Sequence, residues 1–511
     1  MSLAKTGTSR RTLLQQAAAL AGAAAASSLL PAGVRNAVAQ TVSPAPSPAS
    51  VSPAPSPASW ISTTATSPWQ QQPLRPGGWR WDTLNTWVDL TSAANPSPAI
   101  EGFGGCFNEL GWTSLQALPA DQQESIFKEL FAPGAGANFT LCRMPIGAND
   151  FSRGWYSYDE HPDDFALEHF SIDNDLQTLV PFIKSAQRHN PSLELWASPW
   201  SPPSWMKRNG HYAVHMQRPG LAPNGLKPDQ VGKEGEDLFI QDDKYFKTYA
   251  QYFGRFIDAY RQQGISIGMV MPQNEFNSAQ PFPSCTWTPA GLARFLRFLG
   301  PEMSQRNVEI FFGTLERGNE TLLEAVLADP DAHDYVKGVG VQWAGKGAVA
   351  AIHAQHPSLT LYQSEQECGD GKNDWAYAGY CWDLMKYYLR NGASGYMYWN
   401  ISVDQGGESH WGWPQNSLIS VDPQAKTFHF NHDYYLLKHV SHFVQRGAKR
   451  LDTRGTCDDA LAFLNPDRSV VVILRNESAQ EKAIDITIGD NTIRGSMPPD
   501  SFNTMTLSVN A

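Results

Sequence analysis

Two glutamates stand where apolar runs give out. Glu275 closes "IGMVMPQNE", and Glu365 stands near the end of "LTLYQSEQE". Both runs are apolar enough to be buried strands, and a strand end is a rigid place from which to aim an acid. Two facing carboxyls are the minimum apparatus for hydrolysing a glycosidic bond: one protonates the leaving oxygen, and the other attacks the anomeric carbon or activates water. Asn274 adds an amide directly beside the first acid. A glutamate taken at random more often caps a helix or pairs with an arginine. Two strand-end acids, an adjacent amide and tryptophan-rich stretches such as "SPWSPPSW" and "HWGWPQ" together favour the chemistry.

The elements that would position these acids alternate along the chain. "FTLCRMPIG", "LELWASPW", "IGMVMPQNE", "EIFFGTLE", "VKGVGVQW", "LTLYQSEQE" and "GYMYWNIS" read as strands buried on both faces, as in a parallel sheet. Between them "DLQTLVPFIKSAQRHN", "YFKTYAQYFGRFIDAYRQQG" and "TPAGLARFLRFLGPEM" read as helices, each ending near Gly, Asn or Pro. About eight such units predict an α/β fold, a (β/α)8 TIM barrel over residues 100 to 435. No glycine-rich phosphate loop follows the first strand, which disfavours an open doubly wound sheet. Barrel chemistry lies at the strand ends, so Glu275 and Glu365 would share one rim. Further on, "LAFLNPDRSVVVILRNES", "KAIDITI" and "TMTLSVN" predict a small β-sandwich over residues 436 to 511. Residues 75 to 99, with "WRWDTLNTWVDLTS", would add strands to it.

Residues 1 to 39 read as an address: Arg10 and Arg11 precede the Ala-rich "AAALAGAAAASSLL", and Ala37-Val38-Ala39 offers a cleavage site. The pattern fits a twin-arginine-type export signal and predicts a periplasmic or secreted protein. Residues 40 to 74 read as a linker, with "VSPAPSPAS" in tandem copies rich in extended-chain proline. No later run approaches membrane-spanning length. The formal net charge of −11 argues against nucleic acid and anionic membrane surfaces as partners. The 17 Trp, 17 Tyr and 24 Phe supply flat faces for sugar rings, although for any single Trp a core role is the better prior. Six scattered cysteines with no C-x-x-C pair argue against tetrahedral zinc and are taken as core thiols, so no metal or cofactor is implied.

The stretches "EGFGGCFNELG", "CRMPIGANDFS", "YSYDEHPDDFALEHFSI", "ELWASPWSPPSWMKRNG", "PQNEFNSA", "LYQSEQECG" and "GYMYWNISVDQGG" resemble, in this order and spacing, glycoside hydrolase family 30, the family of lysosomal glucocerebrosidase. The resemblance runs from about residue 100 to the C-terminus and implies a retaining β-glycosidase on a barrel with an attached sandwich. It implies Glu275 as acid/base, Asn274 on the hydroxyl next to the anomeric carbon, and Glu365 as nucleophile. Arg143 resembles the strand-end arginine that keeps that nucleophile ionised, and Asp150 the acid that binds outer sugar hydroxyls. Trp200, Trp343 and Trp399 would be walls of the pocket for the terminal sugar. The chain departs from the family pattern at Phe276, where a proline often follows the acid/base, and at Asn108, where Thr or Asp is usual. Glu367 lies two residues beyond Glu365, on the same face of a strand, and is a rival for the nucleophile.

The substrate expectation is a terminal β-linked glucose or related sugar in a carbohydrate. Two other readings stay open: an endo-acting β-1,6-glucanase or xylanase with an open cleft, and a carbohydrate-binding protein without catalysis. The first turns on whether the loops "HYAVHMQRPGLAPNGLKPDQVGKEGED" and "DQGGESHWGWPQ" wall off one end. The second has no need of both acids. A retaining mechanism predicts carboxyls about 5–5.5 Å apart.

Overall fold

The computed structural model describes residues 58 to 74, 82 to 95 and 97 to 509. The export signal and most of the tandem repeat lie outside the described residues.

Eight strands close into a barrel: β1 (Gly102–Cys106), β2 (Leu141–Pro145), β3 (Glu194–Ser198), β4 (Met269–Val270), β5 (Glu309–Leu315), β6 (Val336–Gln342), β7 (Thr360–Glu365) and β8 (Ala393–Asp404). Each pairs in parallel with its neighbours in sequence, and β8 pairs back onto β1. Both faces of these strands are covered, which is why they read as continuous apolar runs. The lumen is filled by Leu141, Trp196, Met269, Met271, Phe311, Tyr362 and Met397, contributed by successive strands. Gly340 makes room for this packing: a Cβ there would come within 2.3 Å of the Met271 sulfur. The expected helices form around the outside as Leu179–His189, Asp243–Gln262 and Pro289–Ser304, the last capped by the Thr288 hydroxyl.

The second unit is a sheet assembly of nine strands. Leu84–Asp89 joins it as expected, between Lys482–Ile488 and Lys449–Gly455. Its strand Ser469–Asn476 is buried on both sides. Val470, Val472 and Leu474 pack with Trp60 and Met505 inside the sandwich, whereas Val471 and Ile473 join the barrel's core. On that second side Phe502 meets Trp375 of the helix Trp375–Arg390, ring centroids 5.0 Å apart.

Two expected boundaries are corrected. Within the stretch assigned as linker, Ser59–Thr64 is a strand paired antiparallel with Ser501–Ser508. Its Trp60 is wholly buried and donates to Asn503 Oδ1 at 3.1 Å. The neighbouring prolines masked this "WIST" run, whose partner lies at the far end of the chain. The barrel also does not end at residue 435, because the helix His432–Ser441 spans that point and serves both units. Its Tyr434 donates to Glu129 of the barrel helix Ala120–Phe131, while His439 sits between Thr63 and Thr504 of the sandwich, 2.8 Å from each hydroxyl.

Candidate active site

β4 is only two residues long, yet the chain beyond it stays in the barrel wall. Met271 donates to the Ala197 carbonyl, Asn274 to that of Pro199, and Thr314 to that of Gln273. Glu275 then adopts a left-handed backbone with φ of 44°, held by its N–H on Thr314 Oγ1 at 2.8 Å. In an extended strand Asn274 and Glu275 would face opposite ways. The left-handed turn brings both side chains into one cavity of about 280 Å³. Non-glycine residues rarely hold this conformation, and where they do the site is commonly functional.

Glu365 enters the same cavity from the end of β7, opposite Gln342 at the end of β6. Its Oε2 accepts from Arg143 Nη1 at 2.6 Å and its Oε1 from Trp343 Nε1 at 2.9 Å. Arg143 is fully buried, ringed by Trp196, Trp200 and Trp399 at 4.9, 4.4 and 5.5 Å. Its other nitrogen donates to Ser198 Oγ at 2.9 Å and to Asn274 Oδ1 at 2.6 Å. Thr314 and Gln342 also donate to that Oδ1, at 3.1 and 3.2 Å. Three donors on the oxygen orient the amide so that its nitrogen is left for the cavity.

The environment treats the two acids differently. Glu275 has only amide donors, Gln342 at 3.2 Å and Gln280 at 3.5 Å. Its carboxyl is held well above the usual carboxylate range, first by desolvation, then by the charges of Glu365 and Glu316. Asp150 also lines the cavity, with Oδ1 buried and without a hydrogen-bond partner among the described residues. Burial, then the charge of Glu365, pushes Asp150 up to about 8.

Trp200 and Trp343 line the cavity. Trp399 is buried next to them, stacked on Trp200 with centroids 5.3 Å apart and edge-on to Phe151. Arg143 acts on the lining residues Glu365 and Asn274 and is not itself part of the lining. Glu367 is occupied elsewhere, accepting from Lys346 at 2.6 Å and Tyr380 at 2.7 Å. Asn108 caps the helix Glu109–Gln116 through Gly111 N–H at 2.7 Å, and Phe276 packs on Phe312 at 5.2 Å.

The cavity contains residues that the sequence did not single out, among them Glu316, Arg317, Gln280 and Arg218. Glu316 carried the one available signal, an acid at the end of "EIFFGTLE". Among the described residues no group of three or more His, Cys, Asp or Glu could hold a metal ion, and no helix is long and apolar enough to cross a membrane.

The glycosyl hydrolase family 30 TIM-barrel domain matches residues 100 to 444, and the family's beta sandwich domain matches residues 447 to 505. The chain belongs to glycoside hydrolase family 30. Its relatives include the lysosomal acid glucosylceramidase of Mus musculus, 28% identical over 76% of this chain and 77% of that one. They also include an endo-1,6-beta-D-glucanase of Aspergillus fumigatus, 26% identical over 83% and 88%. The crystal structure of SrfJ from Salmonella typhimurium has the same fold, with a TM-score of 0.75 over 89% of this chain and 100% of that one, at 22% identity. The family 30 chain is thus a glycoside hydrolase with a barrel and a β-sandwich, and the boundary between its domain matches falls beyond the helix His432–Ser441.

Proposed function

We propose that this family 30 enzyme is a retaining, exo-acting β-glycosidase that removes a terminal glucose-type sugar by double displacement. Glu365 is the nucleophile and Glu275 the acid/base. The observation that carries the proposal is the unequal treatment of two carboxyls in one cavity: Glu365 is ion-paired with Arg143, while Glu275 accepts only from amides and is driven by burial to keep its proton. Glu275 gives that proton to the leaving oxygen as Glu365 attacks. Once Glu365 is glycosylated its charge is gone, one cause of the raised affinity of Glu275 for a proton is removed, and Glu275 becomes the base that activates water. The free amide nitrogen of Asn274 meets the hydroxyl beside the anomeric carbon, and Asp150 meets outer hydroxyls.

The exo reading rests on the two loops named above, which meet where the Arg218 guanidinium lies 3.9 Å over the Trp413 ring. A 2-deoxy-2-fluoro-β-glucoside should label the enzyme once, on the peptide bearing Glu365. A label on Glu367, or none despite turnover, would contradict the assignment. Monosaccharide alone from the first minutes supports exo action. An oligosaccharide ladder from β-1,6-glucan or xylan would replace it with the endo reading, which the relationship to the Aspergillus enzyme favours. The proposal includes export to the periplasm or medium on the strength of Arg10-Arg11 and the Ala-rich run. Replacing both arginines by lysine should retain the enzyme in the cytoplasm, as fractionation would show.

A further inference from the structure

Resting on the glycosidase reading, we propose that Glu316 binds the leaving group: its free carboxyl oxygen accepts a hydroxyl of a polar, sugar-type aglycone, which selects such aglycones over a lipid chain. Hydrogen bonds tie Glu316 to the segment that carries Glu275: its Oε1 accepts from Asn277 and Ser278, two and three residues beyond that acid, whereas Glu365 is held by Arg143 and Trp343. Glu316 is therefore fixed beside the acid/base. With the sugar's outer hydroxyls at Asp150 and its anomeric carbon at Glu365, the leaving group extends past Glu275 towards Glu316.

Glu316 is built for more than holding the chain. It ends β5 at 2% exposure and lines the cavity. Its Oε1 alone anchors the turn after Glu275, accepting Asn277 N–H at 3.2 Å and the Ser278 hydroxyl at 3.0 Å. Its Oε2 is buried and without a hydrogen-bond partner among the described residues. A buried acceptor left unmade is costly, and an incoming hydroxyl would satisfy it. Arg317 lies 3.5 Å from Glu316 and is itself paired with Glu234 at 2.8 Å, and Ser278, Gln280 and Arg218 line the same cavity alongside Phe282 and Trp413.

The test compares the unmodified full chain with Glu316→Gln on two substrates: the 4-nitrophenyl β-glycoside of the sugar it cleaves, and the β-linked disaccharide of that sugar. Glutamine keeps a carbonyl oxygen for Asn277 and Ser278 but puts a donor in place of Oε2. Burial pushes Glu316 up to about 7, so the assay is run at pH 8 or above, where the ratio of kcat/KM, disaccharide over aryl glycoside, should fall about tenfold, the loss expected for a hydrogen bond to a charged group. Equal losses on both substrates would mean that Glu316 only anchors the turn, and would overturn the proposal. Glu316→Leu should lower the ratio further and raise relative activity on an octyl β-glycoside; a ratio above that of the unmodified chain would also overturn it. If the unmodified chain cleaves no aryl glycoside, the glycosidase reading falls and takes this one with it. If it does and the ratio holds, only the role of Glu316 falls.

Discussion

Replacing Arg143 by methionine tests the pairing on which the division between the two acids depends. The guanidinium is fully buried and Glu365 nearly so, with 2.6 Å between them. Methionine keeps apolar contact with the three tryptophan rings but leaves the Glu365 carboxylate without its cation. Removing one partner of a buried ion pair costs about 3–5 kcal/mol. Glu365→Gln retains an acceptor facing Arg143, so its cost should be smaller, about 1–3 kcal/mol. The double variant has no unpaired charge to bury. It should be more stable than the sum of the two single losses predicts by about 2–3 kcal/mol. Urea unfolding of all four proteins at neutral pH measures this coupling, provided the slopes agree. Losses that add within about 0.5 kcal/mol would show that the two groups do not act as a pair. Arg143→Met should also lose at least about a thousandfold in kcat on an aryl glycoside, since a loss near 4 kcal/mol at the transition state corresponds to that factor.

Other outcomes follow from the same geometry. Glu365→Ala should abolish turnover of every substrate, while Glu275→Ala should keep glycosylation by substrates whose leaving group needs no proton and regain turnover with azide, as stopped assays with aryl glycosides would show. Burial and the charge of Glu365 push the folded pKa of Asp150 from the ordinary aspartate range near 4 up to about 8, so its contribution to stability is present below pH about 4 and is lost as pH rises through about 8. Asp150→Asn should therefore melt above the unmodified enzyme by a margin that widens between those limits, and a constant margin would contradict the burial argument. Trp60→Ala should lower stability by about 3–5 kcal/mol, and removal of residues 1 to 74 should destabilise the chain where removal of residues 1 to 57 does not, as melting curves would show.

The barrel was legible because its strands are apolar on both faces and its helices carry clear stops. Glu275 and Glu365 stood out because acids rarely end such runs. What escaped was whatever depended on a distant partner. Ser59–Thr64 is a strand only because Ser501–Ser508 lies beside it, more than four hundred residues along the chain. Glu316 was quoted at the end of its strand and passed over, because the sequence shows an acid there without showing that one of its oxygens has no donor.

The charges of the cavity also bear on why this set of acids suits the reaction proposed above. Four carboxyls line it, and the fully buried cation beneath them, Arg143, is committed to Glu365 and Asn274. Arg317, at the far end, is shared between Glu316 and Glu234. A negative charge on Glu275 would be buried and would meet those of Glu365 and Glu316, so in the proposed mechanism the proton stays on Glu275 until the leaving oxygen takes it. As the bond breaks, the sugar gains oxocarbenium-like positive charge. The carboxylate of Glu365 then lies beside that charge, fixed by Arg143 and Trp343 and needing no reorganisation, which is the arrangement that stabilises a transition state more than a bound neutral substrate.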